Sequence, residues 1–576
     1  MTRNLTLLAT AATAALALAA CQRSGDAPAA STAPATTPAT AGTTAFDAAI
    51  RAEDFAAHVQ TLASDEFEGR APGSAGEEKT VEYLKAQFER MGLQPGNGDS
   101  FFQTVPMVET TADPSTTLRL TVNGQPRDLA FGTDMVIGTR TGQPKISVEN
   151  SELVFVGYGV NAPEQNWNDY AGVDVKGKTV VMFVNDPGFH AQDPQLFEGK
   201  RMTYYGRWTY KFEEAARQGA AGALIIHDTE GASYGWDVVK NSWSGAQFDL
   251  PASDDPDPRL PMQGWLTGDA ARSLLADLGH DLDALYRAAN TRGFKAIPLK
   301  AQASVTLNSQ ISQKSSRNVI ARLPGTTRPD EAIVYMAHWD HLGNHAHEGE
   351  APPAGGDLIY NGAIDNATGV AGILEIAEAF TAQNPKPERS VLFLAVTLEE
   401  SGLLGSKYYV AHPSVPLAKT VAVINLDAMP VIGASRDMTV IGFGSSELED
   451  LLAKVAKTQS RTLRAEATPE DGFYFRSDHF NFAKAGVPAL YAKGGEDLID
   501  GGTAAGQAAQ VDYRDKRYHK PGDEFDPAWK LDGVVQDLEA LYAVGREIAG
   551  GNQWPNWYEG NAFRAAHDRL RATLAK

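Results

Sequence analysis

The sequence predicts an α/β fold: a mixed, mostly parallel sheet flanked by helices, with a β-rich domain inserted into it. Three observations predict this. Short apolar, β-rich runs alternate with helical segments through the second half of the chain, the pattern of parallel strands joined by crossover helices. Acidic and histidine residues stand just past the ends of these runs, where such sheets bind ligands. Between about Pro144 and Pro298 the texture changes to short strands with Gly-rich turns.

The chain of 576 residues begins with Arg3, an apolar stretch from Leu5 to Ala20 and then Cys21, its only cysteine. A positive start, an apolar run too short to span a bilayer and small residues before a cut describe a signal peptide. Leu18-Ala19-Ala20-Cys21 resembles a bacterial lipobox, which implies cleavage before Cys21 and lipidation of its thiol. Residues 1–21 are therefore expected to be a lipoprotein signal peptide with its lipidated cysteine. Lipidation places the protein in the bacterial cell envelope, and Gln22 after the cysteine suggests the outer membrane. Several acyl chains on one residue hold a protein stably where a single chain does not. Residues 22–45 are almost all Ala, Pro, Thr, Ser and Gly and read as a flexible linker. With no second cysteine there is no disulfide, and a chain of this length is stable on its core alone.

Folded sequence is expected from Phe46. Residues 46–143 form the first part of the main domain, opening with an amphipathic helical run (46–64), a turn, and a second helix ending at Gly92. Residues 144–300 form the insertion, with strands expected at Val154–Val160, Lys178–Val184 and Ala223–His227 and a helix before the last of them. Residues 301–576 complete the main domain. Strands are expected at Ala332–Ala337, Val391–Thr397, Val421–Asn425 and Val487–Ala492, and a closing helix at Gly533–Ile548.

The chemistry lies at the ends of these strands. The first run leads into His338 and Asp340, the second into Glu399–Glu400 and the third into Asp427; Asp365 lies between the first two and His519 follows late. Two histidines with three or four carboxylates and no usable thiolate suit zinc or a similar dication, and their number suits two ions. If Asp365, Glu400 and Asp427 are ligands, their negative charges are under-neutralised by one dication and matched by two.

The order H-x-D, D-N-A-T-G, E-E-S-G-L-L-G-S, N-L-D, S-D-H…G-V-P and H-x-P-x-D resembles the co-catalytic di-zinc exopeptidases of the MH clan, from about Phe46 to Gly550. That family includes bacterial leucyl aminopeptidases, glutamate carboxypeptidase II and the non-catalytic transferrin receptors. The resemblance implies a zinc-dependent exopeptidase with two Zn2+ per chain. His338 and Asp427 would hold one ion, Glu400 and His519 the other, and Asp365 would bridge them. Glu399 would be the general base, and Asp340 would orient His338 from behind. Adjacent residues on a strand-end turn point apart, so one glutamate can face the metals and the other the substrate; which is which rests on the resemblance. The insertion resembles a protease-associated domain, which in relatives covers the active site or shapes access. Asp478 and His479 match a family motif near the active site; a helix cap formed by Ser477 or Asp478 is the equal alternative. Phe473, Tyr474 and Phe475 offer an apolar wall for substrate.

Other features are read as peripheral. His341, His345 and His347 lie in a Gly/Pro-rich stretch taken as a rim loop. Arg476 and Arg514 are the nearest candidates for gripping a carboxylate, too few to resemble the arginine cluster of glutamate carboxypeptidases. A net charge of −21 excludes nucleic acid as a partner. The substrates expected are peptides with a free amino group and an apolar first residue. The alternatives are a dipeptidase or carboxypeptidase of the same family, a glutaminyl cyclase-like enzyme or a non-catalytic receptor-like protein.

Overall fold

A computed structural model describes residues 49–255, 257–344 and 356–575. The signal peptide, Cys21, the linker, His345 and His347 lie outside the described residues. Among the described residues no helix is long and apolar enough to cross a membrane.

The first helix, α1 (Ala52–Leu62), is shorter than the expected run. It buries Phe55, Val59 and Leu62, one stripe at helical spacing. Ser74 caps α2 (Ala75–Arg90) by accepting the Glu77 N–H at 3.3 Å, and α2 buries Val81, Leu84 and Phe88 in the same core. Strand β1 (Phe102–Ala112) then crosses towards the inserted part.

The insertion is built on a sheet of its own. Strands β2 (Lys145–Phe155), β3 (Thr179–Phe183), β4 (Gly222–Ile226) and β5 (Met262–Leu266) pair in parallel in that order. Helix α3 (Trp208–Arg217) precedes β4. The expected strand over Val154–Val160 stops at Phe155, because Gly157 and Gly159 turn the chain at φ +59° and +64°. Strands at Thr117–Val122 and Met135–Gly138 also belong to this sheet, so it takes in residues before 144. Their short alternating pattern, with Leu118, Leu120 and Val122 buried, gives little sequence signal alone.

One long strand, β6 (Ile297–Leu323), joins the two parts. Its first half pairs with β2, its middle with β1, and its end with β8 (Arg389–Val396). In the main sheet β8 pairs in parallel with β7 (Arg328–His338), β7 with β9 (Thr420–Asn425), and β9 with β12 (Ala489–Gly494). The edge is antiparallel where β10 (Asp437–Val440) meets β12, with β11 (Thr462–Ala465) parallel outside it.

The main strands are apolar without alternation because both faces are covered. Along β7, Ile333, Tyr335 and Ala337 enter the core beneath α1, α2, α4 (Thr368–Ala382) and α7 (Asp532–Gly550). Ala332, Val334 and Met336 enter the opposite core with Tyr409 of α5 (Leu404–Ala411) and Phe482 of α6 (His479–Lys484). Each such Val, Leu, Ile or Phe contributes about 1.5–3 kcal/mol by burial. The packing brings the C-terminal ends of β7, β8 and β9 side by side.

Candidate metal centre

Five residues from five separate segments converge at these strand ends. His338 ends β7, Glu400 follows β8 and Asp427 follows β9. Asp365 lies in the turn before α4, and His519 in the loop after a helix at Gly502–Lys516. His338 Nε2 lies 3.3 Å from Asp365 Oδ1 and 3.6 Å from Asp427 Oδ1. On the other side His519 Nε2 lies 3.3 Å from Asp365 Oδ2 and 3.2 Å from Glu400 Oε2. Asp365 thus stands between the two histidines with one oxygen towards each, the position of a bridge.

The surrounding chain holds these donors in place. Arg70 is buried, and its guanidinium donates to the carbonyls of Leu62, Trp339, Asn361 and Gly362 at 2.6–2.9 Å. The turn between α1 and α2, which carries Arg70, therefore fastens the His338 loop to the Asp365 loop. Asp523 accepts the N–H groups of Ile364 and Asp365 at 3.0 Å. Gly369 is required where α4 meets β9: a Cβ there would stand 2.4 Å from the Leu426 carbonyl oxygen. Leu398, just before the glutamates, holds φ at +57°, a strained setting that recurs at functional sites.

The electrostatics suit cations. Burial disfavours charge on His519, but Glu400 and Asp365 outweigh it and raise its pKa to about 10. Burial likewise opposes His338 ionisation, yet Glu399, Asp365 and Asp427 hold its pKa well above the usual imidazole range. Glu400 is buried, but His519 and His341 bring it down to about 2. A cluster that draws protons onto two imidazoles, His338 buried and His519 partly exposed, is one a dication fits. His338 Nδ1 donates to the main-chain carbonyl of Asp340 at 3.1 Å, which leaves Nε2 as the basic nitrogen facing the acids.

The two glutamates separate as their adjacency allows. Glu400 lies beside His519 and takes a 2.6 Å hydrogen bond from His341 Nδ1. The Glu399 carboxylate has no hydrogen-bond donor among the described residues, and groups with His338 and Asp427. Burial raises its pKa well above the carboxylate range, and repulsion from Glu400, Asp427 and Asp478 adds to this. A carboxyl with raised proton affinity that opens on the cavity is equipped to accept a proton.

Four expectations change. The Asp340 carboxylate does not orient His338: Oδ1 lies 3.9 Å from Nδ1, too far for a hydrogen bond. Instead it accepts the Glu399 N–H at 3.2 Å. Asp478 and His479 do not face substrate. Asp478 is fully buried and accepts from Ser406 Oγ at 2.6 Å, while His479 is packed between Tyr474 and Tyr491, its pKa pushed by burial down to about 3. Nor does the S-D-H segment cap its helix. Ser477 instead donates to Asp427 Oδ2 at 2.5 Å and accepts from Asn425 at 2.7 Å, which orients Asp427. Lastly, His341 is buried against Glu400 rather than lying on a rim loop. Phe475 does line the cavity, with Phe473 and Phe480; Tyr474 is buried away from it.

The centre opens into a cavity of about 1550 Å³ that is also lined by Trp208, Phe248 and Arg207 of the inserted part. Of the aromatic residues near α3, Tyr205 and Tyr210 are core. Tyr518 lines the cavity and stacks on the His519 ring at 4.1 Å.

Residues 318–543, which carry every residue of the centre, match Peptidase family M28. The chain is 31% identical over 254 residues to leucine aminopeptidase 2 of Arthroderma otae, covering 41% of this chain and 46% of the relative. It is 28% identical over 305 residues to the probable lipoprotein aminopeptidase LpqL of Mycobacterium tuberculosis, covering 49% and 55%. It is 26% identical over 259 residues to the aminopeptidase NAALADL1 of Mus musculus, covering 37% and 32%. The matches thus span about half, or less, of these relatives. Among solved structures, the aminopeptidase from Aneurinibacillus sp. strain AM-1 aligns with a TM-score of 0.48 at 21% identity, over 88% of this chain and 95% of that one.

Proposed function

We propose that the protein is a zinc-dependent aminopeptidase that removes apolar N-terminal residues from peptides, with two zinc ions per chain. The observation that carries this is Asp365 standing between the His338–Asp427 pair and the His519–Glu400 pair, beside a carboxylate with no donor of its own. His338 and Asp427 would hold one ion, His519 and Glu400 the other, and Asp365 both. Two zinc ions held together lower the pKa of a shared water and polarise the scissile carbonyl.

The residues do the rest. Glu399 takes the proton of the attacking water and passes it to the leaving amine. The Asp340 carboxylate holds the Glu399 backbone, and Ser477 holds Asp427. His341 fixes Glu400 from behind, the kind of support that sets the orientation of a ligand. Phe473, Phe475 and Phe480 give the cavity an apolar wall that suits an apolar first side chain. The insertion, which we read as a protease-associated domain over residues 144–300 with the strands Thr117–Val122 and Met135–Gly138 joined to its sheet, contributes the outer wall and narrows access.

Leucine anilide is expected to be cleaved, and acetylating its amine to destroy activity. Equal rates on free and N-acetylated substrates would sink the aminopeptidase reading while leaving the metal chemistry intact.

We further propose that Cys21 anchors the enzyme in the bacterial envelope. The L-A-A-C sequence supports this, as does the relative named a probable lipoprotein aminopeptidase. Cys21→Ala is expected to abolish palmitate labelling and to move the protein from the membrane to the soluble fraction. Wild-type protein that is soluble and unlabelled would refute the anchor.

A further inference from the structure

Almost every cation lining the cavity is paired. Arg140 meets Asp249 at 2.7 Å, Arg259 meets Asp255 at 2.7 Å, Lys407 meets Asp255 at 2.6 Å and Lys484 meets Glu213 at 2.9 Å. Arg464 faces Asp437 at 3.4 Å, Lys493 donates to the carbonyls of Asp427 and Ala428, and Arg514 is solvent-exposed.

Arg207 and Arg476 differ. Both are half-buried and line the same cavity as Glu399 and His338. Arg207 Nε and Arg476 Nε and Nη2 are buried without a hydrogen-bond partner, and neither guanidinium has an ion pair among the described residues. In a chain of net charge −21 two free guanidinium groups in one cavity are unexpected. Each lies over an aromatic ring, Arg207 over Trp208 at 5.4 Å and Arg476 over Phe473 at 5.3 Å, which steadies the group and leaves its N–H edge free. They come from different parts of the fold. Arg207 immediately precedes α3, on a segment docked to the main domain through Tyr204 against Phe480 and Phe563. Arg476 follows the Phe473–Phe475 turn. Burial, then repulsion from Arg476, lowers the Arg207 pKa to about 10, so Arg207 feels the positive charge of its neighbour and still remains charged at neutral pH.

Two desolvated, mutually repelling guanidinium groups are unfavourable unless an anion joins them, and planar N–H forks match a carboxylate. We propose that Arg207 and Arg476 together grip a carboxylate of the peptide substrate, so that the enzyme favours peptides carrying an anion downstream of the cleaved bond. This deepens the aminopeptidase reading and rests on it. A carboxylate reaches the site from the C-terminus of a short peptide or from an acidic side chain.

The test uses the zinc-loaded full protein. Leucyl-glycine is compared with leucyl-glycinamide for the C-terminus, and leucyl-glutamate α-amide, its side-chain carboxylate free, with leucyl-glutamine amide for the side chain; leucine anilide is the reference without a carboxylate. At least one carboxylate member is expected to show a KM tenfold or more below its neutral partner. Arg207→Gln and Arg476→Gln are expected to erase that contrast while kcat/KM on the anilide stays within threefold, and Arg476→Lys to keep part of it. Calorimetry on Glu399→Gln protein, which binds without turnover, reads the same contrast as a ratio of Kd values. If no substrate is cleaved, the aminopeptidase reading fails and calorimetry still decides the grip. No contrast in either pair, or equal losses on anilide and dipeptide in the variants, overturns it.

Discussion

Glu399→Gln is expected to retain its zinc and to lose at least about a hundred-fold in kcat, the scale for a positioned general base. The amide has nearly the shape of the carboxylate and cannot take a proton from water. Glu399 has no hydrogen-bond donor to its carboxylate among the described residues, so the change breaks no bond of that side chain. KM is expected to change little, since the loss falls on the reacting step. Glu400→Gln provides the contrast. It removes a negative charge beside His519 and replaces the oxygen that accepts the 2.6 Å bond from His341. Because losing a group behind a ligand costs 10–100-fold in metal affinity, losing this carboxylate is expected to cost at least about 100-fold. Zinc content after dialysis and kcat at saturating zinc separate the two variants. A Glu399→Gln protein that loses zinc, beside a Glu400→Gln protein that keeps it, would reverse the assignment.

Removing metal is expected to abolish activity and to lower the Tm, both restored by zinc. Elemental analysis should give close to two zinc per chain. Any ligand that binds only the folded state stabilises it by RT ln(1 + [L]/Kd), about 4 kcal/mol at a thousand-fold excess over Kd. Asp365, Glu399, Glu400 and Asp427 crowd one buried region, and protonated His338 and His519 offset their repulsion only in part. Calorimetric melting with and without chelator, at fixed protein concentration, measures the shift. Full activity in protein shown to be metal-free would overturn the functional reading as a whole.

The strand runs of the main sheet were legible because a sheet covered on both faces needs uninterrupted apolar residues, and Ala332–Ala337, Val391–Val396 and Val421–Asn425 supply them. The insertion was less legible. Its extra strands at Thr117–Val122 and Met135–Gly138 join it by pairing with β6 and β5, and such pairings leave no local signature.

By itself the sequence determined the fold class and the converging set His338, Asp365, the pair Glu399–Glu400, Asp427 and His519. The reason is chemical: few residue types bind a dication, and a parallel sheet offers one end for them. Only the tertiary structure decided how the neighbours of those residues point. Past a strand end the torsions no longer repeat, as Leu398 shows at φ +57°, so adjacency cannot say that Glu400 meets His519 while Glu399 stays free. Nor can it say that Ser477 rather than Asp478 supports the site, or that His341 lies behind Glu400. Arg207 reaches the cavity beside Arg476 only because the insertion docks on the main domain. Contacts between segments so far apart are set by packing, and periodicity in one segment carries no information about them.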